Sequence, residues 1–133
     1  DVSDLSRGSA NTHVVAHAGK ILCLEEGHWP WEIDSNLNTV GYENFSGNLK
    51  TSMTAHPKIC PETGELLAFS YFSFEQPFLT YHRINSDGQL IQSEGIEIPN
   101  MVMMVRHGFY YPCCLWVLRC VWLCMYWDLK EKI

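Results

Sequence analysis

The sequence predicts an all-β fold built from short antiparallel strands, and three observations carry that expectation. Between residues 12 and 98 the apolar residues fall in short runs rich in β-branched and aromatic types. Each run is bounded by residues that favour turns, and no stretch repeats its apolar positions at the spacing of a helix face. Hairpin after hairpin without intervening helices suits a sandwich, a barrel or propeller blades, and periodicity does not choose among them. Counted as blades, the patterned stretch supplies about two four-stranded sheets at ~40–50 residues each.

Each element has its own signal. Runs 12–18 and 20–24 are separated by Ala18-Gly19, a two-residue hairpin connection, and 31–33 is parted from 39–42 by Asp34-Ser35-Asn36. Segment 43–65 carries no strand signal and ends in the turn Glu62-Thr63-Gly64. The run 66–74 follows, then 78–84, then 90–94 after Ser86-Asp87-Gly88, then 96–98. His13 and His17 lie four apart on the first strand, which puts them on one face, and with His82 they read as structural. His28, in Gly27-His28-Trp29-Pro30-Trp31, reads as an exposed turn histidine.

The 133 residues are 47% hydrophobic and 13% aromatic, which is enough apolar material for a core. Nine basic against fifteen acidic residues give a net charge of −6, and the positive charges are scattered. That excludes a phosphate-tracking surface, so nucleic acid is not the expected partner. Residues 1–8 are polar and acidic, with no basic segment leading into an apolar one, and read as a cut inside a longer chain rather than a signal peptide. Of six cysteines only Cys23 and Cys60 lie in the patterned region; Cys113, Cys114, Cys120 and Cys124 crowd the end. The pattern is not that of a secreted disulfide scaffold, and a cytoplasmic location is expected.

The stretch Thr54-Ala55-His56-Pro57-Lys58 stands out chemically. A residue before proline is pushed out of the helical region, so His56 is held extended with a fixed direction. Alone it is a loop histidine, because one imidazole is not a metal site.

Ala10-Asn11-Thr12-His13-Val14-Val15, His17-Ala18-Gly19-Lys20, Leu24-Glu25-Glu26-Gly27, Thr54-Ala55-His56-Pro57-Lys58 and Leu79-Thr80-Tyr81-His82 together resemble the carotenoid cleavage oxygenase family. This is the family of retinal pigment epithelial membrane protein and of the apocarotenoid and lignostilbene oxygenases. The resemblance covers about residues 7–104. It implies a seven-bladed β-propeller, of which 1–104 would be a partial segment of about two blades. It also implies a non-haem iron(II) dioxygenase, which uses O2 to cleave a C=C bond of a carotenoid, apocarotenoid or stilbene to carbonyl products. By that resemblance His56 is the first of four histidine ligands to Fe(2+), and Glu26 is a carboxylate that orients a ligand ring. Neutral imidazoles leave the metal its full charge and open positions for oxygen.

After Met104 the sequence departs from the family. The second ligand is expected just beyond the methionines; His107 is the nearest histidine, offset by two residues and followed by Gly108 rather than an acid. The third and fourth ligands would lie beyond Ile133. Residues 105–133 hold four cysteines and three tryptophans, unlike what precedes them. Three readings compete. A membrane helix over 109–127 would carry Arg119 at its centre, at a cost of ~3 kcal/mol. A zinc site from His107 and the cysteines lacks paired knuckle spacing. The third, and the preferred one, is translation in a shifted frame or across an unspliced boundary.

Trp29, Trp31, Phe69, Tyr71, Phe72, Phe74, Phe78 and Tyr81 supply material for an apolar tunnel, though alternate strand residues pack between blades and most are expected in the core. The partners implied are an apolar conjugated substrate, O2, the missing blades and a peripheral membrane contact. The alternative is an inactive truncated propeller fragment or an interaction module without catalysis. An unrelated β-sandwich binding module is a third possibility.

Overall fold

The structure, a computed structural model, describes residues 4–71 and 73–101. These belong to the first of two units into which the chain divides, Asp1–Met103; the second, Met104–Ile133, lies outside the described residues. A short 3₁₀ turn, Leu5–Arg7, is capped by Asp4, whose side chain accepts from the Ser6 amide. Eight strands follow: β1 (His13–His17), β2 (Lys20–Leu24), β3 (Trp31–Ile33), β4 (Thr39–Tyr42), β5 (Lys58–Ile59), β6 (Leu66–Ser70), β7 (Leu79–Ile84) and β8 (Leu90–Ile96). They form two four-stranded antiparallel sheets, each in sequence order, β1-β2-β3-β4 and β5-β6-β7-β8. The all-β expectation therefore holds for the described residues, which contain no α-helix.

The turns explain the registers. Ala18 and Gly19 both adopt positive φ, 49° and 76°, the conformation of a two-residue connection that matches strand twist, and His17 is left opposite Lys20. In the β3–β4 turn the Asp34 carboxylate accepts from the Asn36 and Asn38 amides. The β7–β8 turn uses Asn85 in the same way, on Asp87 and Gln89, with Gly88 at φ 81°. Beyond one-residue trims of the runs 12–18 and 78–84, three features differ from the sequence reading. β5, only two residues long, carries too little pattern to be seen. The run 66–74 ends at Ser70, because Ser73 and Glu75 close a local turn and leave Phe74 solvent-exposed. The runs 90–94 and 96–98 become one strand through Gly95 to Ile96, after which Ile98 is buried outside the ladder.

Alternation along β2 sends Leu22 and Leu24 into the interface between the sheets, where they meet Leu66 and Ala68 of β6 and Ile84 of β7. Phe45, Leu49, Met53 and Ala55, from the segment that crosses between the sheets, fill the remaining space. The other face of the first sheet is apolar too. Val14, Cys23, Trp31 and Tyr42 stand opposite one another across all four strands, and Val14 and Tyr42 are 56% and 49% exposed. His17 ties the sheets at one end, its Nε2 lying 3.1 Å from the Gly64 carbonyl oxygen. His28 corrects the sequence reading: it is half-buried, its Nδ1 hydrogen-bonds with Glu25 Oε1, and it packs so closely on Gly8 that a Cβ there would meet its own at 2.6 Å.

His82 is completely buried, with Thr51 Oγ1 3.0 Å from its Nε2 and no partner for its Nδ1 among the described residues. Desolvation holds its pKa down to about 4, from the ordinary 6.5, because burial penalises the imidazolium. The native state thus prefers the neutral ring. Its contribution is fully present above pH 6.5 and is lost progressively as the pH falls towards 4, where it levels off. Over that window the loss is expected to reach roughly 3 kcal/mol, as measured by urea midpoints, and His82→Gln is expected to remove this component of the pH slope.

Candidate metal centre

Topology gathers the site. In an antiparallel sheet the start of one strand lies level with the end of the next. The β1–β2 ladder extends to a bond from the Thr12 amide to the Leu24 carbonyl, 3.0 Å, so His13 and Glu26 come to the same end of the first sheet. In the second sheet the Thr54 amide donates to the Phe69 carbonyl, 2.7 Å, which brings the chain before β5 alongside the end of β6. His56 lies on that stretch before β5, and Tyr71 directly follows β6.

His56 is held from both sides. Its amide donates to Thr54 Oγ1 at 3.1 Å, Thr54 and Ala55 are buried, and Pro57 behind it is buried. The rigid backbone leaves only the imidazole partly exposed, at 31% of its side chain. Glu26 Oε1 stands 3.6 Å from His56 Nε2, beyond hydrogen-bond length. Both Glu26 oxygens are shielded from solvent. The Tyr71 hydroxyl, on a residue only 3% exposed, has its pKa pushed up, first by burial, then by hydrogen-bonding interaction with the Glu26 carboxylate, whose negative charge adds to the effect.

A buried carboxylate with open acceptor positions beside an imidazole is what a metal-bound histidine uses to fix its ring. His56 and Glu26 therefore fit one corner of a histidine-held iron. They do not complete it: no group of three or more His, Cys, Asp or Glu among the described residues is arranged to hold a metal. His107 and the four late cysteines lie outside the described residues.

One neighbour was not visible from sequence. The His13 ring lies with its centroid 6.1 Å from that of His56, tilted by 41°. Reading strands one at a time places His13 on β1 and stops there, since its approach to His56 depends on how two sheets pack. Of the aromatic residues, Phe69 and Tyr71 are buried, Trp29 packs at the edge of the core and Phe74 is exposed, while Phe72 lies outside the described residues.

Two four-stranded meanders with a histidine before the first strand of the second define a class, and comparison with known proteins says which. Residues 2–110 match the family model described as retinal pigment epithelial membrane protein, and the chain belongs to that family. It is similar to carotenoid 9,10(9',10')-cleavage dioxygenase 1 of Arabidopsis thaliana, 42% identical over 106 residues that make up 77% of this chain and 19% of the relative. It is also similar to a carotenoid cleavage oxygenase of Mycobacterium tuberculosis, 40% identical over 77% of this chain and 20% of the relative. Among solved structures, lignostilbene dioxygenase of Pseudomonas brassicacearum superposes with a TM-score of 0.67 at 40% identity, covering 72% of this chain and 21% of that one. The chain spans about a fifth of the length of the curated relatives it matches.

Proposed function

We propose that this chain is part of a non-haem iron(II) dioxygenase that cleaves a C=C bond of a carotenoid, apocarotenoid or stilbene, and that His56 is one of the iron's ligands. The observation that carries the reading is the shielded carboxylate of Glu26, whose Oε1 stands 3.6 Å from His56 Nε2 across thirty positions of sequence. Iron bound by neutral imidazoles would supply the oxygen chemistry. The chain's own part is to hold the His56 ring in one direction through Thr54, Pro57 and Glu26. The names of the relatives, carotenoid and lignostilbene cleaving enzymes, favour an apolar conjugated substrate. A membrane contact for collecting that substrate and a cytoplasmic setting complete the reading.

The remaining blades are part of the same proposal. The apolar row Val14–Cys23–Trp31–Tyr42 is a sheet face of the kind that packs on another sheet, and the other face of this sheet already does so against β6 and β7. A seven-bladed ring would cover it. The same exposed face favours a second reading, an inactive fragment that associates with other chains.

A hybrid tests the proposal: residues 4–101 replace the matching segment of the Pseudomonas brassicacearum lignostilbene dioxygenase, and carbonyl products are followed from a stilbene and an apocarotenal. The hybrid is expected to form aldehyde from one of them. Glu26→Gln, which keeps the shape but weakens the acceptor, is expected to lower its iron affinity or turnover by about 10–100-fold. A soluble, folded hybrid without product would overturn the reading.

A further inference from the structure

We infer that Tyr71 is a positioning residue for the proposed site: its hydroxyl donates to the Glu26 carboxylate and so fixes the oxygen that faces His56. The inference rests on the reading of His56 as a ligand and adds the residue that steadies the carboxylate beside it.

Burial creates the need. A carboxylate shut off from water stays ionised only where donors replace the water it has lost. Both Glu26 oxygens are shielded from solvent, and His56 Nε2, at 3.6 Å, is too far to serve as a full donor. Tyr71 supplies one. It is 3% exposed, and its hydroxyl interacts with Glu26 by hydrogen bonding. Burial and the adjoining negative charge both oppose the phenolate, so the oxygen keeps its proton and acts as the donor.

The backbone gives Tyr71 a firm base. Just before it, the Phe69 carbonyl accepts from the Thr54 amide at 2.7 Å, and the Ser70 hydroxyl lies 3.0 Å from that of Ser52. Both ties run to the segment that leads into His56. Tyr71 and His56 thus share one framework, while Glu26 arrives from the first sheet, beyond the end of β2. A hydroxyl fixed to the His56 framework tells the incoming carboxylate where to stand. A bond of this kind to an ionised acceptor is stronger than one between neutral groups.

The test has two arms. The first uses the metal-free 133-residue chain and ultraviolet resonance Raman, where the tyrosine Fermi doublet reports donation to a strong acceptor. The difference between parent and Tyr71→Phe is expected to show the doublet of a strong donor. Glu26→Gln, which leaves Tyr71 in place, is expected to shift it towards that of a weak donor, and this comparison stands even if the Phe variant does not fold. The second arm measures iron affinity in the hybrid dioxygenase. Tyr71→Phe is expected to lower it by about 10-fold, and the double variant with Glu26→Gln to be no weaker than Glu26→Gln alone, because the hydroxyl acts only through the carboxylate. A doublet indifferent to Glu26→Gln, or losses that add in the double variant, would overturn the role of Tyr71 and leave the reading of His56 standing. If His56→Ala leaves iron affinity intact, that reading fails and this inference falls with it.

Discussion

Replacing His56 by alanine in the hybrid dioxygenase is expected to abolish stoichiometric iron and to lower turnover by more than the ~100-fold upper range for losing a residue that only orients a ligand. The reason is positional. His56 has its backbone set by a hydrogen bond from its amide to Thr54 Oγ1 and by the buried Pro57, so its ring points in one direction. The alanine variant also strands Glu26, whose shielded oxygens lose the ring they face. Iron analysis and product formation should fall together. A variant that loses activity but keeps one iron per chain would assign His56 to positioning and remove it from the ligand set.

The second large effect concerns the fold. Leu22 is 1% exposed and packs between the sheets with Leu66, Ala68, Ile84 and Phe45. Leu22→Ala removes most of that side chain from a site enclosed by two sheets and their connection, where collapse around the cavity is limited. A loss of about 3–4 kcal/mol is expected in urea unfolding of the hybrid. Val14, on the adjacent strand but 56% exposed on the outer face, is the comparison: Val14→Ala in the 133-residue chain is expected to change stability by less than about 0.5 kcal/mol. Within the hybrid, where a further blade is proposed to cover that face, the same change should cost more. The contrast between the two contexts reads directly on whether the face is an interface.

Much of the fold was legible because the turns here declare themselves. Ala18-Gly19, Asp34 with its Asx turn, and Asn85 with Gly88 fix where strands stop, and hydrophobic runs between them need only extend. The misplacements share a cause. Aromatic residues after Ser70 read as strand until the Ser73 turn is known, and Lys58–Ile59 is a strand only because β6 offers it a partner. The site was legible in part. His56 and Glu26 stand out through resemblance to a family, and the structure adds their distance. His13 illustrates what sequence reading misses: four positions from His17 on the same strand, it lies at the opposite end, beside a residue forty-three positions away. No local pattern encodes a contact between the ends of two separate sheets.

The proposed function has this chain carry one ligand of an iron site completed elsewhere in a propeller. It is tested most directly by assaying the 133-residue chain for aldehyde formation from a stilbene, alone and after mixing with the remaining segments of the lignostilbene dioxygenase. The expected result is no product from the chain alone and product from the assembled protein, dependent on His56. Turnover by the isolated chain, or product from the assembly that persists without His56, would contradict the account.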